Sequence, residues 1–407
     1  MSTLRFFRDN LPWLAAGVLL TFMSGPGQTF FISIFAGHIR DEFGLTHGQW
    51  GTIYTLGTGA SAILMVWAGG LTDMFRVRAL GAVVLVLTAS ACLFMASVQA
   101  AWLLPFVIFA LRFTGQGMTS HLAVVAMSRW FIATRGRALS IATLGFTIGE
   151  ATLPVTFVAL MVFFDWRLLW VLAAGIAVAA IPVLLLLLQQ ERTPQSFAQS
   201  DSTLGMQGRH WTRNQAIQHF LFWFMVPAML GPAAFNTAFF FHQVHYADIK
   251  GLAHIELVSL FPIYTGLSVI SMIIGGALLD RLGTGRLMPF TQIPIILGFL
   301  CYSFAPGLGF TLLGLLFMAM TTGAMMTVPN AFWAEFYGTR HIGSVKAMLA
   351  AVMVFGSAIG PGITGLGIDA GLGIETQFLI IASYFLFTTL MMIIGVGRAR
   401  ALLAPPA

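Results

Sequence analysis

Apolar runs recur along this chain between short polar turns, and each is long enough to cross a bilayer core, which needs about 20 apolar residues. The pattern predicts twelve helical spans. The first six are Leu11 to Ile39, Trp50 to Gly70, Ala79 to Val98, Trp102 to Ser128, Ala138 to Phe164 and Leu168 to Leu188. After a segment rich in Gln, Ser, Thr and charge come Ile217 to Tyr246, Glu256 to Leu279, Leu287 to Phe304, Gly309 to Trp333, Ala347 to Ile368 and Thr376 to Val396. The first run continues past any signal-peptide length and lacks a small-x-small cleavage signal, so it reads as a retained helix. The expected fold is an all-α membrane protein of two pseudo-symmetric six-helix bundles. Residues 1–188 form the first bundle, 189–216 a cytoplasmic linker and 217–407 the second bundle.

Two polar stripes interrupt the apolar pattern in the fourth and fifth spans. Arg112, Gln116 and Thr119 fall at i, i+4 and i+7, and Thr143, Thr147 and Glu150 repeat that spacing on the next helix. At roughly 1.5 Å per residue, Arg112 lies about 16 Å from one end of its span and Glu150 about 20 Å from the other, in a core roughly 30 Å thick. The two are therefore expected to meet near the midplane. A charge at that depth is usually paired or set in a wet cavity, and it usually marks function. Two readings stand side by side: Glu150 as a proton-coupling carboxyl whose pKa a moving Arg112 would shift, and a static ion pair holding two helices.

The two sides of the polar segment repeat each other. Met23-Ser24-Gly25-Pro26 returns as Met229-Leu230-Gly231-Pro232, Gly69-Gly70-Leu71-Thr72-Asp73 as Gly276-Ala277-Leu278-Leu279-Asp280, and Gly145-x-x-x-Gly149 as Gly356-x-x-x-Gly360. The offsets, 206, 207 and 211 residues, are about half the chain. Parallel duplication of a six-helix half is a known transporter plan, with the site at the repeat interface. Both Gly-Pro pairs are expected to break their helices where neighbours can satisfy the freed carbonyls.

Composition agrees. The chain is 58% hydrophobic and only 8% charged, against about 25% charged in soluble domains. Its net charge of +6 has no need of a nucleic-acid partner, because sixteen of the 20 Lys and Arg residues fall on one side of the twelve-span layout. Arg40, Arg167 and Lys250 lie opposite and Arg112 is within the membrane. By the positive-inside rule both termini are expected in the cytoplasm, with the protein in the cytoplasmic (inner) membrane. Cys92 and Cys301 fall inside spans, which argues against a disulfide framework, and no metal or other cofactor is expected. His242 and His245 lack a matching carboxylate or Cys on their face, so they read as an interfacial pair, and His121 as a packed helix residue.

These motifs resemble the major facilitator superfamily over the whole chain. That family's loop between spans two and three reads Gly-x-Leu-Ala-Asp-Arg-x-Gly-Arg-Arg or Lys. The second half keeps Gly276, Leu278, Asp280, Arg281, Gly283 and, one place late, Arg286; the first keeps Gly69, Leu71, Asp73 and Arg78, with Met74, Arg76 and Val77 where Arg, Gly and Arg are expected. The resemblance implies a turn that latches the cytoplasmic helix ends. Arg112 resembles the Arg that opens the family's fourth-span motif, and Gly356 to Pro361 resembles the drug antiporters' fifth-span motif, displaced here to span eleven while Glu150 stands in span five. A weaker resemblance links the chain to the monocarboxylate and oxalate/formate porters, whose basic residues in spans eight and eleven are missing.

The resemblance implies a cavity lined by the first, fourth, seventh and tenth spans, which brings in Gln28, Asn236, Thr322 and Asn330 beside Arg112, Gln116, Thr119, Thr147 and Glu150. The expected function is secondary transport of a small organic solute, a carboxylate or partly apolar anion, by alternating access and with protons as coupling partner, by a monomer in the lipid bilayer. Proton-driven efflux of hydrophobic drugs is the alternative. An intramembrane enzyme needs a catalytic cluster that no span offers, and a transport-dead sensor on the same fold is a third reading. No Gly-x-x-x-x-Gly-Lys-Ser/Thr loop is present, which argues against an ATP-driven pump.

Overall fold

The computed structural model describes residues 3–131, 134–190, 204–304 and 306–403. Every regular element among them is a helix. Eleven of these helices are long and apolar enough to cross a membrane: His47–Ala68, Val77–Ser97, Ala101–Trp130, Gly136–Leu160, Trp166–Leu187, Phe220–Phe241, His254–Leu282, Thr284–Phe304, Leu308–Tyr337, Ser344–Asp369 and Ile374–Arg400. A twelfth span is the bent pair Arg8–Gly27 and Thr29–Phe43, whose halves meet at 46°. The twelve correspond to the runs read from the sequence, and below they are numbered in chain order, the bent pair being span 1. Large apolar side chains such as Val66 and Ile273 stay exposed on helix faces, as a lipid solvent allows.

The chain divides into two compact units, one of Met1–Gln199 with Phe240–Val244, the other of Ser200–Phe239 with His245–Ala407. In the first, span 5 crosses span 1 at Gly145, where a Cβ would lie 1.9 Å from the Val18 carbonyl oxygen. The Thr21 hydroxyl donates to the Ala142 carbonyl at the same crossing. In the second, span 11 crosses span 7 at Gly360, where a Cβ would lie 2.1 Å from the Ala234 carbonyl oxygen. Small residues let backbones approach in a membrane, where dispersion and hydrogen bonds, rather than hydrophobic exclusion, hold helices together.

Among the described residues each unit also carries an ionic brace at a matching position. Glu42, in the last turn of span 1, accepts from Arg167 and from the Trp166 indole, while Arg167 also donates to the Ala96 carbonyl. In the second unit Lys250 pairs with Glu375 and donates to the Ser303 carbonyl. Glu42 and Lys250 are 208 residues apart, as are Arg167 and Glu375, so the brace is duplicated with its charges exchanged.

The polar segment is not all connection. Residues 191–203 lie outside the described residues. From Leu204 on, the chain is folded into the second unit: the Trp211 amide donates to the Tyr337 carbonyl, the Trp211 indole to the Met206 carbonyl, and Thr212 and Gln215 form a capping box. Two large apolar side chains, Met206 and Trp211, are buried there and account for the difference from a free linker.

The Gly145 crossing gives a paired prediction. Gly145→Ala is expected to destabilise the detergent-solubilised protein by about 3 kcal/mol through overpacking against backbone. Gly149→Ala, whose Cβ would meet nothing nearer than 3.6 Å, is expected to leave the melting temperature unchanged. Thermal unfolding of the two variants checks the contrast.

Candidate functional site

Span 1 breaks at Gly25-Pro26-Gly27, which winds as a single 3-10 turn, and Gln28 follows in an extended conformation (φ −87°, ψ 150°) before the helix restarts at Thr29. Pro26 has no N–H to continue the ladder, so the break leaves backbone carbonyls without their helical partners. Arg112 answers one of them: its Nη1 donates to the Gly27 carbonyl at 3.1 Å and reaches Thr29 Oγ1 at 3.4 Å. Thr29 Oγ1 also bonds the Tyr54 hydroxyl, and the Tyr54 ring lies 5.3 Å beneath the guanidinium carbon. The approach is possible because Gly27 and Gly115 face each other; a Cβ on Gly27 would lie 2.2 Å from the Leu111 carbonyl oxygen, and one on Gly115 2.7 Å from Gly27 Cα. On the other side of the break, Gln28 donates to Ser24 Oγ, whose hydroxyl donates to the Thr21 carbonyl.

The pairing expected between Arg112 and Glu150 is not what holds this guanidinium. Its hydrogen bonds go to span 1, and its ring partner is Tyr54. The cause is local. Residues Arg112–Thr119 are wound as a π-helix, which inserts an extra residue per turn and rotates Arg112 away from the face that regular α-helical spacing assigns it. The i, i+4, i+7 stripe dissolves for the same reason. Thr119 is fully buried and donates back to the Thr114 carbonyl five residues earlier, Gln116 is half-buried, and Arg112 is 1% exposed. On span 5, Thr147 donates to the Thr143 carbonyl of its own helix, and Glu150 is half-buried.

In the second unit the corresponding Gly231-Pro232 does not break the helix, contrary to expectation: Phe220–Phe241 runs through it. Pro232 frees the Ala228 carbonyl four residues back, and the buried Gln292 side chain donates to that oxygen while its own oxygen accepts from Thr388. The Tyr384 hydroxyl donates to the neighbouring Pro227 carbonyl. A little further along span 7, Asn236 Nδ2 reaches Thr322 Oγ1 at 3.4 Å, and Thr322 in turn bonds the Tyr264 hydroxyl at 3.3 Å. Asn236 Oδ1 is buried and has no hydrogen-bond partner among the described residues. Asn330 stays exposed and donates only to Met326 of its own helix. Tyr264, Gln292 and Tyr384 had no polar spacing in the sequence to single them out.

At the turn after span 2, the Asp73 side chain lies outside the described residues and Arg78 is exposed. The turn is tied by residues the motif does not contain. Arg129 Nη1 donates to the Thr72 carbonyl at 2.6 Å, and His121 Nε2 lies 3.2 Å from the Gly69 carbonyl oxygen. A carbonyl can only accept, so that ring nitrogen carries the proton. In the second unit Gly276 is half-buried, Asp280 and Arg281 are exposed, and Gly283 takes φ +76°, a conformation that favours glycine. The tie there is the Thr284 hydroxyl donating to Glu335.

Residues 17–361 match the sequence model described as Major Facilitator Superfamily. The chain belongs to that superfamily. Among solved structures, this superfamily member resembles a bacterial homolog of the human lysosomal transporter Spinster in an inward-facing, unoccupied conformation, at 15% identity, TM-score 0.72, over 97% of this chain and 98% of that one. It also resembles the nucleoside transporter NupG, at 13% identity, TM-score 0.70, over 95% and 98% of the respective chains. At such identities the likeness is one of fold. No curated protein sequence matches the chain significantly. Membership makes this an integral membrane transporter built for small solutes.

Arg112 supplies the site's test. Arg112→Gln retains a donor for the Gly27 carbonyl and removes a buried charge, whereas Arg112→Met leaves that carbonyl unpaired at a cost of about 1 to 3 kcal/mol. Thermal unfolding is expected to rank wild type, Arg112→Gln and Arg112→Met in falling order.

Proposed function

We propose that this superfamily member carries a small, partly apolar organic anion by alternating access, and that Glu150 couples the movement to protons. The observation that carries the reading is the state of Arg112. Its guanidinium is buried within span 4 against neutral acceptors, a carbonyl and a hydroxyl, and its Nε has no partner among the described residues. A cation placed so is costly, and a substrate carboxylate that reached it would offset that cost with a planar, two-point contact. Abundant Phe and Met, 37 and 21 residues, suit the apolar part of such a solute. Glu150, half-buried on the next span, is taken as the carboxyl that exchanges a proton as the field of the arginine is screened by the bound anion.

The same reading takes residues 1–188 and 217–407 as the two moving bundles, the cytoplasmic membrane as location with both termini inside, and a monomer as the working form. Gln28, Gln116, Thr147, Asn236, Thr322 and Asn330 are taken as polar positions along the route, with Thr119 as a buried support for the π-helix. The turns at Gly69, Asp73 and Arg78 and at Gly276, Asp280, Arg281 and Gly283 are taken as the gating latches.

Proteoliposomes test this. An imposed pH gradient is expected to drive accumulation of an amphipathic monocarboxylate but not of an uncharged osmolyte. Glu150→Gln is expected to abolish accumulation while leaving exchange of labelled for unlabelled solute intact. Unchanged accumulation in Glu150→Gln removes that residue from coupling, and uptake restricted to hydrophobic amines replaces the anion reading with drug efflux.

A further inference from the structure

The end of the second unit where the chain enters span 7 is a floor of four chain segments sewn together by backbone. The Gln207 amide donates to the Leu402 carbonyl and the Trp211 amide to the Tyr337 carbonyl. Gly205 packs against the Phe336 to Gly338 backbone so closely that a Cβ there would lie 2.6 Å from it. Arg400 lies across Gly285, whose Cβ would meet the arginine side chain at 2.8 Å, one residue before Arg286. Arg209, Arg213, Arg281, Arg286, Arg398 and Arg400 are thereby gathered at one end of one unit, and all six are exposed.

None of the six forms an ion pair with a carboxylate among the described residues. Two acids share the floor: Glu335, which accepts from the Thr284 hydroxyl, and Asp280, which is exposed. Arg209 stacks 4.1 Å over the Trp211 ring, an aromatic rather than an acidic partner. Burial first, and then the charge of Arg209, push the pKa of the neighbouring His219 imidazole below its usual value, so the floor's field is already felt by its own residues. The rim is apolar and also exposed: Leu204 at 59%, Trp223 at 57% and Phe290 at 53%. Trp223 turns its indole N–H inward to the Ile217 carbonyl, which leaves the ring face outward.

We propose that this floor is a seat for the headgroups of anionic phospholipids, and that the segment from Leu204 to Gln218 is its collar rather than a linker. Guanidinium groups without acidic partners complement phosphate by charge and by their planar fork, and exposed rings beside them suit the boundary between headgroup and acyl chain. The seat is independent of what the transporter carries.

The test uses the purified full chain in neutral detergent, titrated with phosphatidylglycerol or phosphatidylcholine, with bound lipid counted by native mass spectrometry. Wild type is expected to retain phosphatidylglycerol over phosphatidylcholine, and added salt to erode that preference. The triple variant Arg281→Gln, Arg286→Gln, Arg400→Gln is expected to lower phosphatidylglycerol retention by about threefold or more. Arg8→Gln, which alters an arginine paired with Asp9 in the other unit, is expected to leave retention unchanged. Equal retention of the two lipids by wild type, a salt-independent preference, or full displacement of phosphatidylglycerol by millimolar inorganic phosphate overturns the proposal. The wild-type salt titration decides it even if the triple variant does not fold.

Discussion

A backbone carbonyl in the bilayer interior has no water to turn to, and the Gly27 carbonyl is the place where this chain meets that constraint most sharply. The sequence Gly25-Pro26-Gly27 ends one helix before the membrane is crossed, and the freed oxygen must be answered from another span. Arg112 does so across a contact that only two glycines permit, Gly27 on one side and Gly115 on the other. The π-helix that begins at Arg112 is the second half of the arrangement, since its winding departs from regular α-helical spacing where Gly115 meets Gly27. Tyr54 and Thr29 complete the surroundings of the charge. Irregular backbone, an extra residue in a helix and a buried cation are each costly alone, and here each is what makes the others tolerable.

The duplicated half solves the same problem with neutral chemistry. Pro232 frees the Ala228 carbonyl, Gln292 supplies an amide to it, and the helix runs on unbroken. The offsets of 207 and 211 that bracket these positions set Ala319 to Gly323 against Arg112 and Gly81 to Leu85 against Gln292, so neither the arginine nor the glutamine is repeated in the other half. The scaffold around these differences is shared: glycines at the crossings of spans 1 and 5 and of spans 7 and 11, and an ionic brace at matching positions with its signs exchanged. The halves differ in how the carbonyl beside their proline is satisfied, by a guanidinium in one and by a neutral amide in the other.

Twelve spans, the doubled halves and the family were legible because they rest on run lengths and repeated glycine and proline positions, which survive any local winding. The partner of Arg112 was not legible. Its face was read from a regular α-helical spacing, and a single π-helical stretch redirects it to Gly27 and away from Glu150. Donors to carbonyls were invisible for a related reason: the acceptor is a backbone atom common to every residue, so nothing in the sequence marks Gln292, Tyr384, His121 or Arg129 as its partner. The segment after Leu204 looked like a linker because its few apolar residues, Met206 and Trp211, are diluted by polar neighbours, yet two buried side chains suffice to dock it. Asn236 and Thr322 were read as lining a route, and the structure joins them to each other and to Tyr264.

Arg112 is the clasp of a broken span. Hydrogen–deuterium exchange over residues 22–33 tests that most directly, comparing wild type with Arg112→Met in the same detergent. The account predicts faster exchange in the variant at Gly27, Gln28 and Thr29, with spans 7 to 12 unchanged. Identical exchange across the break in the two proteins would contradict it, because a clasp whose removal loosens nothing is not holding the break.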